Sequence, residues 1–496
     1  MRDFEVPVDA PTPQPLAFGT LPGRAHLDAP AGGARVLLIS TYELGHQPLG
    51  LASAAAALRT AGHDVRTIDV AVEPLAAAAI RDVDLVAISV PMHTAARIGL
   101  QIAEAIRQAN IGARLVCFGL YASPLAEHLG HHAIEVIGGE YETGLVEVAA
   151  QVAEHRTGAV TGAGGAPSLL RQQYPVPDRR GLPGLDEYAR VRRADGEHLA
   201  GYVEATRGCA HTCKHCPITP VYGGALRLVQ RDTVYADIAQ QVEAGAQHIT
   251  FGDPDFLNAV PHSLAILEEA HRRWPALTFD VTVKVEHLVE HAYVLARLHG
   301  FGVIWVTSAF ESCNNAILGR LDKGHTVEDM RHALRLTSAA GLPVRPTWVA
   351  FTPWTTIDDV IEMLDFIAEQ RLQRAVQPVQ YGLRLLLPPG SPLNDVLASE
   401  GRLGPFEEAL LTYTWTALDP RVDALQAALA SMAEAAAEAN EDAAVTFERA
   451  RAAAYASAGR PTPEARDAGP DVPGLTESWF CCAEPTAGQL AALSLV

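Results

Sequence analysis

The chain has 496 residues, of which 48% are hydrophobic and 19% charged. Such a balance excludes wholesale disorder, and at about 100–200 residues per domain the length suggests two to four domains. Lys and Arg number 38 against 58 Asp and Glu, a formal charge of −20. With no long basic stretch against that excess, a nucleic-acid backbone is not an expected partner. The sequence has no apolar run of about 18 residues, so no membrane span is expected.

Residues 1–34 are rich in Pro, Gly and Ala and read as a flexible leader without the compact apolar centre of a signal peptide. The expected compartment is therefore a reducing cytoplasm. Seven cysteines is an odd number for a disulfide framework. Three crowd into Cys209–Cys216, two are adjacent at Cys481 and Cys482, and Cys117 and Cys313 stand alone.

From residue 35 apolar runs alternate with helical stretches. Val36–Ile39, Val65–Val70, Leu85–Val90, Leu115–Phe118 and Ile134–Ile137 read as strands. Leu51–Ala61, Ala95–Ala109 and the stretch after Gly139-Glu140 read as helices. This order predicts a doubly wound parallel sheet over 35–155, with a ligand crevice at the strand C-termini. Residues 156–200, opening with a Gly/Ala run and followed by Pro175, Pro177 and Pro183, read as a linker.

Gly45…Pro48-Leu49-Gly50, Gly119…Ala122-Ser123-Pro124 and Gly139-Glu140-Tyr141-Glu142-Thr143 give this first segment a resemblance to cobalamin-binding domains. The resemblance implies cobalamin as a possible cofactor. The Asp-x-His-x-x-Gly motif of cobalt-ligating members is absent, since His46 lies four residues before Gly50. A histidine ligand from that motif is not expected.

The next segment holds Cys209-Ala210-His211-Thr212-Cys213-Lys214-His215-Cys216. This C-x3-C-x2-C spacing lets a compact loop turn three thiolates toward one centre. Such soft ligands suit iron–sulfur clusters or zinc. Structural zinc needs a fourth ligand, which His211 or His215 could supply, and usually a second paired motif, and no matching Cys-x-x-Cys follows nearby. Three cysteines leave one iron open, as a reaction centre requires.

The motif is identified as that of the radical S-adenosylmethionine (SAM) superfamily. The resemblance implies a [4Fe-4S] cluster held by Cys209, Cys213 and Cys216, with SAM chelating the fourth iron. His215 stands where relatives often carry an aromatic residue. Residues 201–397 are expected to form a partial (β/α)6 barrel of triosephosphate-isomerase type with its chemistry at the strand C-termini. Gly252-Asp253-Pro254-Asp255 follows its second strand, an acidic pair suited to the SAM ammonium. Lys284 follows the third, and Glu311-Ser312 resembles the family's Glu-Ser signature near the SAM amino acid or ribose. Gly252, Asp253, Asp255, Lys284, Glu311 and Ser312 are thus the expected cofactor contacts. Leu383–Leu387 reads as the sixth strand.

Residues 398–496 read as a helical region, Pro405–Leu418 and Val422–Ala456, followed by a connector and Trp479-Phe480-Cys481-Cys482-Ala483-Glu484-Pro485. Adjacent thiols can form a redox-active disulfide, accept a sulfur-bound intermediate or chelate a soft centre such as trivalent arsenic. Cys313, beside Glu311-Ser312, is a candidate third thiolate. The tail resembles a radical SAM group named for its Cys-Cys-Ala-Glu-Pro ending. Through that group the chain resembles radical SAM proteins of arsinothricin biosynthesis. The resemblance implies transfer of the 3-amino-3-carboxypropyl group of SAM to arsenite, giving hydroxyarsinothricin, with Cys481, Cys482 and Cys313 as catalytic thiols. It also implies a small-molecule substrate and an electron donor such as flavodoxin or ferredoxin. Cobalamin-dependent radical C-methyl transfer and a non-catalytic thiol metalloid binder are the rival expectations.

Overall fold

The computed structural model describes residues 33–109, 112–154, 169, 172–477 and 483–486. The leader, much of the expected linker, and Cys481 and Cys482 lie outside the described residues.

Strands β1 (Arg35–Ser40), β2 (Asp64–Asp69), β3 (Leu85–Ser89), β4 (Arg114–Phe118) and β5 (Glu135–Ile137) alternate with helices α1 (Leu49–Thr60), α2 (Ala77–Arg81), α3 (His93–Ala109), α4 (Ala126–His131) and α5 (Glu142–Glu154). The strands pair in parallel in the order β2-β1-β3-β4-β5. Both faces are covered, so the strands are near-continuous apolar runs, as Leu85–Ser89 shows by being buried throughout. Strand order reverses at β1, which opens a crevice beyond the C-termini of β1 and β3.

The second sheet is built from β6 (Arg190–Arg193), β7 (Gly196–Val203), β10 (His248–Phe251), β11 (Thr278–Thr282), β12 (Val303–Glu311), β13 (Val344–Trp348) and β16 (Gly474–Leu475), with a small ribbon of β8 (Thr206–Gly208) and β9 (Leu226–Leu228) after β7. Strands β7, β10, β11, β12 and β13 run parallel. Helices α6 (Thr219–Tyr222), α7 (Arg231–Glu243), α8 (Val260–Arg273), α9 (Val285–Glu290), α10 (Leu295–Gly300), α11 (Asn315–Leu321), α12 (Val327–Ala339) and α13 (Ile357–Glu369) lie along their connections. One large apolar core joins the sheet to these helices, with Ile249, Phe279, Val306 and Trp348 fully or almost fully buried.

Four expectations change. The sixth barrel strand is reduced to a parallel bridge between Phe351 and Arg384. Leu387 is drawn away instead, its N–H donating to Thr412 Oγ1 and its carbonyl accepting from Tyr413 N. The expected linker is strand from Arg190 onward, and β6 pairs antiparallel with β7. The expected helix over 405–418 is a hairpin of β14 (Leu403–Glu407) and β15 (Thr412–Trp415). Its β-branched and aromatic Thr-Tyr-Thr-Trp run favours strand, and Leu411 turns with φ 53°. Helix α14 (Pro392–Ser399) precedes the hairpin. The long helix expected after it divides into α15 (Pro420–Glu438) and α16 (Ala443–Ser457), broken at Asn440 with φ 48° and restarted by an Asp442 cap.

Candidate functional site

The barrel sheet meets the crevice end of the first domain at β7. His46, in the loop after β1, packs its ring 4.7 Å from that of Tyr202 on β7. Burial holds His46 down to about 4, so the ring is neutral near pH 7. Gly252 is required where the chain leaves β10, because a Cβ there would meet the Tyr202 hydroxyl at 1.8 Å.

Cys209, Cys213 and Cys216 lie on the loop between β8 and α6. Cys209 Sγ accepts from Asn258 Nδ2 at 3.4 Å and from the His211 N–H, and Cys216 from the Ile218 N–H. Burial raises the Cys216 thiol to about 12, with Cys213 and Cys209 adding to it and Lys323 opposing. Clustered buried sulfurs met by amide donors and a neighbouring cation are the donor set an iron–sulfur cluster takes. These residues therefore fit the cluster.

The other expected contacts separate into two groups. Asp253 faces inward and is saturated: Oδ2 accepts from Ala205 N at 3.0 Å and Oδ1 from Thr206 Oγ1 at 2.6 Å. Burial raises it to about 7 despite those donors. Ser312 Oγ accepts from Asn314 N, so it serves the start of α11. Asp255, Lys284 and Glu311 face the cluster loop or its neighbours. Glu311 Oε1 lies 3.2 Å from His215 Nε2 and accepts from Lys323 Nζ at 3.1 Å. Burial opposes the Glu311 charge, but Lys323 and His215 outweigh it and hold the carboxyl well below its usual range. Lys284 Nζ reaches Glu286 Oε2 at 3.1 Å.

Cys313 is not brought to the mouth. It packs against the core shared with the outer helices, and its charged neighbours are Arg331 on α12 and Asp359, Glu362 and Glu369 on α13 or its end. Burial pushes its thiol up. Its sequence position beside Glu311-Ser312 suggested otherwise; β12 ends at Glu311, where the backbone turns with φ 65°, and Cys313 lies beyond it in the loop before α11.

Two roles were not foreseen. Arg207, two residues before Cys209, donates from Nη1 to Glu142 Oε1 at 2.7 Å and Glu140 Oε2 at 3.2 Å, and from Nε to Glu204 Oε2 at 3.0 Å. It stacks over Tyr174 and Tyr141 at 4.6 and 5.2 Å. Glu140 and Glu142 belong to the first domain, so Arg207 ties the cluster loop to the crevice. Lys323 is the second, a buried cation beside Cys213 and Cys216. Its place in Lys323-Gly324-His325 gave no sign of that partner.

At the crevice, Ser123 Oγ is buried without a hydrogen-bond partner, and a Cβ on Gly138 would meet it at 1.4 Å. Glu43 Oε1, after β1, is likewise buried and unpartnered. The Ser123 hydroxyl occupies the place a Gly138 side chain would take, and a buried, unsatisfied hydroxyl at the crevice fits an amide-rich corrinoid periphery. The tail docks beside it. Thr94 Oγ1 donates to the Ala483 carbonyl at 2.8 Å, His93 Nε2 lies 3.1 Å from Glu484 Oε1, and Arg97 pairs with Glu484. Gln377 Nε2 donates to the Glu477 carbonyl at 3.0 Å.

Residues 35–168 match the B12 binding domain, and residues 203–367 match the Radical SAM superfamily. The two matched segments place a domain of the B12-binding type before a partial barrel of the radical SAM type, the latter a fold that works with a [4Fe-4S] cluster and SAM and the former one of the kind that takes cobalamin. The fold resembles the radical SAM methyltransferase TsrM from Kitasatospora setae, at 19% identity over 74% of this chain and 78% of that one, with a TM-score of 0.58. It resembles the cobalamin-dependent SAM radical enzyme OxsB, at 16% identity over 80% of this chain and 66% of that one, with a TM-score of 0.59. A protein of Methanocaldococcus jannaschii named as a methylthiotransferase is 25% identical over 179 residues, 34% of this chain. The chain spans 39% of that relative's length. Among the described residues no helix is long and apolar enough to cross a membrane.

Proposed function

We propose that this protein is a radical SAM transferase that moves the 3-amino-3-carboxypropyl group of SAM to arsenite, forming the carbon–arsenic bond of hydroxyarsinothricin. The observation that carries this reading is the docking of the Cys-Cys-Ala-Glu-Pro tail. Glu477 and Ala483 are both held against the region where the crevice meets the barrel. Cys481 and Cys482 lie between them in sequence, and adjacent thiols are suited to hold a thiophilic substrate.

When bound, the cluster and SAM supply the electron and the carbon radical, leaving 5′-methylthioadenosine. The chain's residues do the rest. Cys209, Cys213 and Cys216 hold the cluster. Lys323, Glu311 and His215 form a buried charge chain beside it, and Lys284 is assigned to the SAM carboxylate. Arg207 positions the loop against the cobalamin domain, whose Ser123 and Gly138 are assigned to the corrinoid. Tail thiolates would hold arsenite at the mouth without Cys313, which faces the helices. A one-electron donor such as flavodoxin or ferredoxin would supply two electrons per turnover, one for SAM cleavage and one, with a proton, to the odd-electron arsenic species that carbon addition to the small-molecule substrate leaves, which then loses water as the trivalent carbon–arsenic product.

The test is a Cys481→Ser, Cys482→Ser double variant. Arsenite-dependent turnover should be lost while iron and sulfide stay at the parent level. Arsenite-dependent turnover that survives would remove the tail from the mechanism. The second reading, cobalamin-dependent C-methylation, is favoured by the B12-binding domain and the fold likeness to TsrM. It requires S-adenosylhomocysteine and 5′-deoxyadenosine as products.

A further inference from the structure

Three side chains at the barrel mouth converge as close ion-pair neighbours whose facing atoms lack aligned hydrogen bonds. His211 comes from the cluster loop, Asp255 from the loop after β10, and His287 from α9 after β11. Asp255 Oδ2 lies 2.7 Å from His287 Nδ1 and 3.5 Å from His211 Nε2, and the three atoms all fall within 4.8 Å of one another. Asp255 is 0% exposed. Yet His211 Nε2, Asp255 Oδ2 and His287 Nδ1 are each buried without a hydrogen-bond partner. Three inward-pointing lone-pair donors at such spacing, misaligned for mutual hydrogen bonds, are what a cation would draw together.

We propose that His211 Nε2, Asp255 Oδ2 and His287 Nδ1 form a binding site for a divalent d-block cation, zinc or ferrous iron, separate from the [4Fe-4S] cluster. Metal–ligand bonds of about 2.0–2.2 Å set neighbouring donors about 3–3.5 Å apart, which brackets the two shorter separations here within a few tenths of an ångström. The carboxylate binds through one oxygen, because Oδ1 already accepts from Leu257 N at 3.1 Å. The outer arrangement also suits a metal. Glu286 Oε2 stands 3.8 Å from His211 Nδ1, the nitrogen left over, and is itself held by Lys284. A carboxylate behind a ligating imidazole fixes its orientation and raises its basicity. Two histidines and one carboxylate leave coordination positions open for a small oxygen ligand. This assigns Asp255 to a cation, in place of the SAM ammonium that the sequence suggested.

The test uses the cluster-replete full-length protein. It is incubated anaerobically with zinc chloride in one arm and ferrous ammonium sulfate in the other, desalted, and analysed for metal and sulfide. The expected result is about one retained equivalent per chain beyond the cluster, in one or both arms, falling below about a tenth in His287→Ala and Asp255→Asn with sulfide unchanged. Zinc-edge X-ray absorption of the parent should show nitrogen and oxygen neighbours only, which separates this site from a cysteine site even if a variant folds poorly. No retention in either arm, retention unaltered in both variants, or sulfur in the zinc shell would overturn the proposal.

Discussion

Arg207 and Glu142 form a buried ion pair across the boundary of the two domains, 2.7 Å apart and two residues from the first cluster cysteine. Glu140 and Glu204 share the same guanidinium. Burial works against Glu142 and Glu204 alike. Arg207 and Ser53 more than offset it at Glu142, which is held below its usual range, whereas Glu204 is raised. Removing the cation would strand a buried carboxylate, at about 3–5 kcal/mol. Arg207→Met should lower thermal stability by several degrees and reduce iron incorporation. Glu204→Gln should do so less, because burial disfavours the charge on that carboxyl. Thermal denaturation and iron analysis of the two variants separate these outcomes.

Lys323 sets the charge beside the cluster. It is buried, pairs with Glu311 and lies near Cys213 and Cys216. Lys323→Met should make the cluster harder to reduce, because a nearby positive charge stabilises the reduced, more negative state. It should also leave Glu311 without its main partner. Potentiometric titration should find a lower midpoint potential in the variant, with cluster content retained.

Gly138 leaves room for the Ser123 hydroxyl, which stands where a side chain at 138 would begin. Gly138→Ala places a methyl on the Ser123 hydroxyl and should reduce corrinoid binding at least tenfold, about 1.4 kcal/mol, through steric displacement of that loop. Equilibrium binding of hydroxocobalamin, followed by absorbance, checks it. Ser123→Ala should weaken binding less.

Glu43 gives the protein a pH-dependent stability. Burial, with Asp69 and Glu204, raises its carboxyl to about 8. Between the unfolded value near 4.5 and about 8 the native state holds a proton that the unfolded chain has lost. Stability therefore falls as pH rises through that window, with a limiting slope of about 1.4 kcal/mol per pH unit, and levels off above it. Asp253, raised to about 7, acts in the same direction. Glu43→Gln should match the parent at about pH 4 and exceed its melting temperature at about pH 8. Melting curves across that range test the sign.

Much of this architecture was legible because its signals are local. Leu85–Val90 is apolar throughout and can only be a doubly covered strand, and the three cysteines sit within eight residues. What was not legible depends on distant partners. Nothing near Arg207 in sequence announces Glu140 and Glu142, some 65 residues earlier. Pro405–Leu418 contains Glu-Glu-Ala-Leu-Leu, which reads as helix until the flanking segments pair across Leu411. Cys313 adjoins Glu311-Ser312 in sequence but lies near charged groups of α12 and α13, because the chain turns at Glu311, with φ 65°, before it reaches Cys313. Asp255 and His287 lie 32 residues apart, and their convergence with His211 is a product of barrel closure.

The central claim concerns which fragment of SAM leaves and what accepts it. The decisive measurement is chromatographic and mass-spectrometric analysis of the products after anaerobic incubation with SAM, a reductant and arsenite. The expected products are 5′-methylthioadenosine and an arsenic compound bearing the aminocarboxypropyl group, neither formed when arsenite is omitted. Formation of S-adenosylhomocysteine and 5′-deoxyadenosine, with no carbon–arsenic product, would contradict the account.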